Sequence, residues 1–294
     1  MPTTTAKRPL HGRTILLTGA SAGIGLAAAK LLAALGAHLL LVCRNQARGQ
    51  QALAEVQAAA APNTPAPELL LCDLAILAEV HQLCDEILDR YPKLDVLINN
   101  AGVLPDKLIA TDEGHELCWV TNHLAPFVIT NRLLPLLEQA GAGARIITVA
   151  SEAHWLGEIE STIEARIDPN RSSAFTAYCD SKLANILFTK ALAERLELTP
   201  ITAHCLHPGL VRSNLWLHSS WLMRAMVLLA LPFARSNEKA AETIVCLVTE
   251  TDPMKFNGAY LKNCHPARVS SKAASRAEAF RLWRISADET GVGE

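Results

Sequence analysis

Charge of one sign, long apolar runs and grouped cysteines are all scarce in this sequence, and each shortage excludes something. Lysine and arginine number 27 against 29 aspartate and glutamate, a formal net charge of −2, with no block of like charge. That balance argues against nucleic acid or an anionic membrane as the main partner. The longest apolar run, "AMVLLALPFA" (Ala225 to Ala234), is about half of the ~20 residues that span a bilayer. "MPTTTAKRPLHGR" at the N-terminus has no apolar core, which predicts neither signal peptide nor membrane anchor. A cytoplasmic protein is therefore expected, with peripheral membrane contact left open. The cysteines (Cys43, Cys72, Cys84, Cys118, Cys179, Cys205, Cys246 and Cys264) stand singly, with no C-x-x-C, and read as reduced core filler. "HCLH" (His204 to His207) has a metal-like look but falls in a predicted strand, where residues three apart point to opposite faces. No metal is expected.

What the chain has in quantity is apolar residues in short alternating blocks. Half of the 294 residues are hydrophobic. "TILLT", "HLLLVC", "ELLL", "LDVLIN", "ARIITVA" and "ITAHCL" read as buried strands, each followed by a helix-compatible segment. This predicts a single α/β domain over residues 1–294, a doubly wound parallel sheet of about seven strands with helices on both faces. No linker or internal repeat interrupts it. Two stretches break the alternation, Glu152 to about Ser173 and Val211 to about Arg235. Both follow a strand, where ligands of open α/β sheets bind, so both are candidate pocket walls.

The first strand meets the first helix through "TGASAGIG", with Gly19, Gly23 and Gly25. Such a turn lets the backbone approach a pyrophosphate while the helix N-terminus offers free N–H groups to the anion. The second strand ends "VCRN", so Arg44 stands where a ribose-binding carboxylate is usual. Loss of the acid removes repulsion against a 2′-phosphate, and the guanidinium can clamp it. NADP(H) is the expected cofactor, with NAD(H) as the second option.

In "AYCDSKLAN", Tyr178 and Lys182 lie four apart and share a helix face. An ammonium there favours phenolate, moving a group that titrates near ~10 toward use at neutral pH.

Taken together and in order, "TGASAGIG", "CDL", "NNAG", "TNH", "VAS", "YCDSK" and "HPGLVRS" resemble the single-domain short-chain dehydrogenases/reductases over about residues 12–265. "VCRN", "TNHLAPF", "YCDSKLANILF" and "HPGLVRSNL" are similar to the retinol dehydrogenase branch, which implies NADP(H) and an apolar alcohol or carbonyl substrate. The resemblance implies a Rossmann fold, with Tyr178 as acid/base, Lys182 holding the nicotinamide ribose, Ser151 polarising the substrate oxygen and Asn122 holding a water that links Lys182 to solvent. It places Gly19, Ser21, Ala22, Gly23, Ile24 and Gly25 at the pyrophosphate and Arg44 and Asn45 near the adenosine ribose. Asp73 and Leu74 would contact the adenine, and Asn100, Ala101 and Gly102 would lie under the cofactor. Pro208, Gly209, Val211 and Ser213, the last in place of the usual Thr, would hold the carboxamide. Relatives of this kind often pair through the helices around Asn122 and Tyr178, which implies a homodimer or homotetramer. "ASA" replaces the "ANS" of many retinol dehydrogenases, and no counterpart of their N-terminal anchor helix is expected from this sequence.

The segment "NLWLHSSWLMRAMVLLALPFAR", with Trp216, Leu217, Trp221, Leu222, Met223 and Met226, reads as an apolar substrate lid over about 211–235. Two other functions compete with the oxidoreductase reading: a dinucleotide sensor without turnover, and a C=C reductase similar to the light-dependent protochlorophyllide reductases. Retention of Ser151, Tyr178 and Lys182 favours the enzyme over the sensor.

Overall fold

Alternation along single strands sets the layers. In β1 (Thr14–Thr18), Leu16 packs on one side of the sheet with Leu40 and Val42 of β2 (His38–Cys43), while Ile15 and Leu17 pack on the other with Leu39 and Leu41. Successive side chains of a strand point to opposite faces, and strands apolar at every position are buried on both. The computed structural model of the chain describes residues 9–159, 167–168, 172–209 and 235–293.

The chain runs β1, α1 (Gly23–Ala34), β2, α2 (Gln46–Ala59), β3 (Glu68–Leu71), α3 (Leu77–Arg90) and β4 (Val96–Asn99). A short α4 (Leu117–Trp119) passes through a π-helical turn, Val120–Leu124, into α5 (Ala125–Ala140). Then follow β5 (Arg145–Val149), a 3₁₀ turn (Glu152–Leu156), α6 (Ala174–Arg195), β6 (Thr202–His207), α7 (Asn237–Thr249), β7 (Tyr260–Lys262), β8 (His265–Pro266), α8 (Ser271–Ala274) and α9 (Arg276–Thr290). Strand order is β3-β2-β1-β4-β5-β6-β7-β8. The first seven pair in parallel, as the sequence predicts, and β8 adds a two-residue antiparallel edge.

Helices α1, α2 and α7 cover one face, with Leu32, Val56 and Ile244 in that core. Helices α3, α5, α6 and α9 cover the other, around Phe127, Phe188 and Trp283. Between β1 and β4 the winding reverses, which opens a crevice at the carboxyl ends of the strands.

α9 lies beyond the stretch that carries the family resemblance, yet it is part of the core. Trp283 sits edge-on to Phe127 at 5.0 Å and stacks on Phe188 at 5.9 Å, with the Arg195 guanidinium 4.1 Å over its ring. The Ser286 hydroxyl lies 2.7 Å from His123 Nε2. The helix thus packs on α5 and α6 through these rings.

Of the two "HCLH" histidines, His204 has both ring nitrogens engaged inside the fold, Nδ1 with the Phe256 carbonyl at 2.9 Å and Nε2 with the Thr202 hydroxyl at 2.9 Å. Six cysteines are buried, as core filler should be, but Cys246 and Cys264 are partly exposed. Among the described residues, no helix is long and apolar enough to cross a membrane. The lid segment, including Trp216, Leu217, Trp221, Leu222, Met223 and Met226, lies outside the described residues apart from Arg235.

Candidate active site

The turn after β1 is shaped by what glycine permits. A Cβ on Gly25 would lie 2.2 Å from the Gly19 carbonyl oxygen, and one on Gly19 would lie 2.8 Å from Ala101 Cα. Only glycine allows this close approach of helix, turn and strand end. Gly19 also has φ +71°, in the left-handed region. Around Gly23 the space is open: nothing lies within 4 Å of where a Cβ would be. α1 starts after Ala22 with no side-chain cap and no acid in its first turn, so its leading N–H groups remain available to an anion. These features fit a pyrophosphate at Gly19, Ser21, Ala22, Gly23, Ile24 and Gly25.

Asn100 is a clamp on this turn. Its side-chain amide donates to the Thr18 carbonyl at 2.8 Å and the Gly19 carbonyl at 3.3 Å. The Thr18 hydroxyl in turn accepts the N–H groups of Asn100 and Ala101, both at 3.0 Å. Thr18 is a further residue of the site; its only sequence signal is a hydroxyl at the end of the strand that leads into the glycine turn.

At the end of β2, Arg44 is 60% exposed and its Nη1 lies 3.9 Å from Asp73 Oδ2, at the end of the adjacent β3. A contact this long and solvated holds the guanidinium weakly and leaves it able to turn to an anion. Asp73 also accepts the Ala75 N–H at 3.0 Å, and Leu74 beside it is buried. Asn45 caps α2 by accepting the Arg48 N–H at 3.0 Å, which is a structural role.

Tyr178, Lys182 and Ser151 converge where β5 ends against α6. Tyr178 is buried and its phenol hydrogen-bonds the Ser151 side chain. Ser151 uses one lone pair to accept the Ala153 N–H at 3.2 Å, capping the 3₁₀ turn. Lys182 Nζ lies 5.6 Å from the Tyr178 ring centre and donates to the Val149 carbonyl at 2.9 Å.

Electrostatics here depart from the sequence-based expectation. Burial pushes the Tyr178 phenol up to about 12, opposed by the hydrogen bond from Ser151. Lys182, also buried, is pushed down to about 8. Desolvation disfavours whichever form is charged, so it raises a phenol and lowers an amine, and here it outweighs the attraction that helical spacing suggested. The helix does put the two side chains together, but the ammonium is engaged on a carbonyl.

Asn122 comes from the π-helical turn and ties three segments. Its Oδ1 accepts the Val103 N–H at 2.7 Å; its amide donates to the Val103 carbonyl at 3.1 Å and to the Ser181 hydroxyl at 3.0 Å. Ser181 then donates to the Tyr178 carbonyl at 2.8 Å. A Cβ on Gly102 would lie 3.4 Å from Asn122 Oδ1 and 3.5 Å from Lys182 Nζ, so the "NNAG" backbone runs between these two groups.

His154 was not singled out from sequence. Its Nδ1 lies 2.7 Å from the Ser151 carbonyl, and its Nε2 accepts the Ser270 N–H at 3.2 Å. Those partners require a neutral ring protonated on Nδ1, and burial lowers its pKa in keeping. His154 thus anchors the backbone of Ser151 to the C-terminal segment, a bond between residues 116 apart in the chain that local pattern does not reveal. Pro208 and Gly209 follow β6, with Arg235 packed over Gly209; Val211 and Ser213 lie outside the described residues.

Comparison with known proteins follows the same lines. The family model for short chain dehydrogenases matches residues 13–220. Retinol dehydrogenase 14 of Mus musculus is 37% identical over 96% of this chain and 87% of its own length. Dehydrogenase/reductase SDR family member 13 of Homo sapiens is 36% identical over 97% of this chain and 74% of its own. Among solved structures, an uncharacterized protein from Mycobacterium Paratuberculosis superposes with a TM-score of 0.75 at 28% identity, covering 96% of this chain and 94% of that one. A short chain dehydrogenase from Burkholderia cenocepacia J2315, in complex with NADP, has a TM-score of 0.68 at 24% identity, covering 91% and 100%. With its fold, its motifs and most of its length accounted for in this way, the chain belongs to the short chain dehydrogenase/reductase family, enzymes that act on alcohol and carbonyl groups.

Proposed function

We propose that this protein interconverts a hydrophobic alcohol and its aldehyde or ketone with NADP(H), Tyr178 serving as acid and base. The observation that carries the reading is the meeting of buried Tyr178 and Lys182 with half-buried Ser151 at the end of β5. When bound, a nicotinamide dinucleotide supplies or accepts the hydride and, in its oxidised form, brings a positive charge. Tyr178 gives its proton to the substrate oxygen as charge develops there, and takes it back in oxidation. Ser151, with one lone pair engaged by Ala153 and its O–H on Tyr178 in the free protein, turns that O–H to the same oxygen when substrate is bound. Lys182 holds the ribose, and Asn122 keeps the Val103 and Ser181 segments in register beside it. The relatives named retinol dehydrogenase, the apolar lid sequence and the exposed Trp155 and Leu156 close to Ser151 support an apolar substrate.

NADP(H) preference rests on Arg44. Arg44→Ala is expected to raise KM for NADPH about 10- to 100-fold, the loss of one charge-assisted bidentate contact, with NADH kinetics little changed. An equal shift for both cofactors would remove Arg44 from this role. Because the phenol is protonated in the free protein, reductive kcat/KM should be level near neutrality and decline above pH 8 as Lys182 loses its proton.

The deciding experiment measures NADPH and NADH oxidation side by side with purified protein against medium- and long-chain aldehydes, ketones and retinal. Turnover with NADPH favoured is the expected result; tight NADPH binding without turnover across the panel would favour the sensor reading.

A further inference from the structure

β7 and β8 are joined by a two-residue turn, Asn263 and Cys264, closed by the Lys262–His265 pair. Both turn residues have positive φ, +54° and +65°, the type I′ geometry that favours glycine in the second position. A cysteine occupies that position, and its side chain does not point to solvent alone. Cys264 Sγ lies 4.0 Å from the carbonyl of Glu242 on α7. One helical turn further along the same face is Cys246, whose thiol is within hydrogen-bonding reach of Cys264. These are the two cysteines of the chain that are not buried.

We propose that Cys246 and Cys264 are a reversible thiol–disulfide site, oxidised by low-molecular-weight disulfides such as oxidised glutathione. The Cys264 thiolate attacks one sulfur of the small disulfide, breaking its S–S bond, forming a mixed disulfide and releasing one small thiol. The Cys246 sulfur then attacks Cys264 Sγ, forming the protein S–S bond and releasing the second small thiol. The two protein S–H protons end on the two small thiols; the protein loses two electrons and the small disulfide gains them. Burial and the neighbouring Cys264 thiol push Cys246 up to about 12, which disfavours it as the first nucleophile and leaves the opening attack to Cys264. Oxidation ties the β7–β8 turn to α7. The same turn holds Arg235, whose guanidinium donates to Asn263 Oδ1 and whose side chain packs over Gly209, so the bond forms beside the loop that leaves β6.

The test equilibrates the full-length protein in glutathione buffers of graded potential, quenches with acid, alkylates, and maps peptides by mass spectrometry without reduction. The expected result is loss of two alkylatable thiols, a peptide linking Cys246 to Cys264 that dithiothreitol reverses, and a Tm about 5 °C or more higher in the oxidised protein. Cys246→Ser should stop the reaction at a glutathione adduct on Cys264. Separate glutathione adducts on both wild-type cysteines, a link to any other cysteine, or no change across the potential range would each overturn the proposal. None of these readouts depends on enzymatic turnover.

Discussion

Tyr178→Phe is expected to lower turnover about 10³-fold or more while leaving NADPH binding near wild type. Positioned proton transfer contributes about 10²–10⁴ in rate, and 10³ corresponds to roughly 4 kcal/mol of transition-state stabilisation. The change deletes one oxygen and leaves the ring, so the packing around Leu104, Cys118 and Ala177 is kept. What it removes is the phenol proton and the hydrogen bond shared with Ser151. Lys182 retains its bond to the Val149 carbonyl, so the ribose contact should persist. Single-turnover kinetics with a substrate from the aldehyde panel, alongside NADPH titration by fluorescence, separate the two effects. A mutant that turns over like wild type would remove Tyr178 from the chemistry; one that loses NADPH binding as well would make it a structural residue of the cofactor pocket.

Trp283→Ala is expected to be the most damaging single change outside the site. Truncating a buried tryptophan costs about 3–5 kcal/mol through lost transfer energy and the cavity left behind. Here the ring contacts Phe127 and Phe188, lies under Arg195, and donates Nε1 to the Gly293 carbonyl at 2.7 Å. At about 2–4 °C per kcal/mol for a chain of this class, Tm should fall by roughly 10 °C. The effect should reach the site, because α9 also holds the π-helical turn through Ser286 and His123, and Asn122 precedes His123. Thermal unfolding followed by circular dichroism, with kcat measured well below the transition, checks both. Trp283→Phe should recover most of the stability. An unchanged Tm in Trp283→Ala would mean that α9 is not docked on α5 and α6 as described.

Much of the site was legible because the features that define it are local. Gly19 and Gly25 are written into the sequence by the close approach of backbone to backbone, which no other residue permits. The six strands read from apolar blocks match strands of the sheet, since a sheet covered on both faces buries most strand positions and so favours apolar runs, even where polar residues such as Arg145 or His204 interrupt them. The four-residue spacing of Tyr178 and Lys182 likewise follows from helix geometry, and the two do meet.

Other features depend on which distant segments fold together, and there the sequence is silent. Periodicity reports which face of an element is buried and not what it is buried against. His154 holds Ser151 through Ser270, Thr18 holds Asn100, and α9 closes over α5 and α6; each joins residues far apart along the chain. The ionisation state of Tyr178 is the clearest case. Spacing supplied the nearby cation, but burial is a property of the whole packed core, and its larger effect raises the phenol where the local pattern alone pointed down. By itself the sequence determined the sheet, the glycine turn and the residue types at the site. The tertiary structure decided their partners, their burial and hence their charge, because desolvation depends on every atom that excludes water from a group.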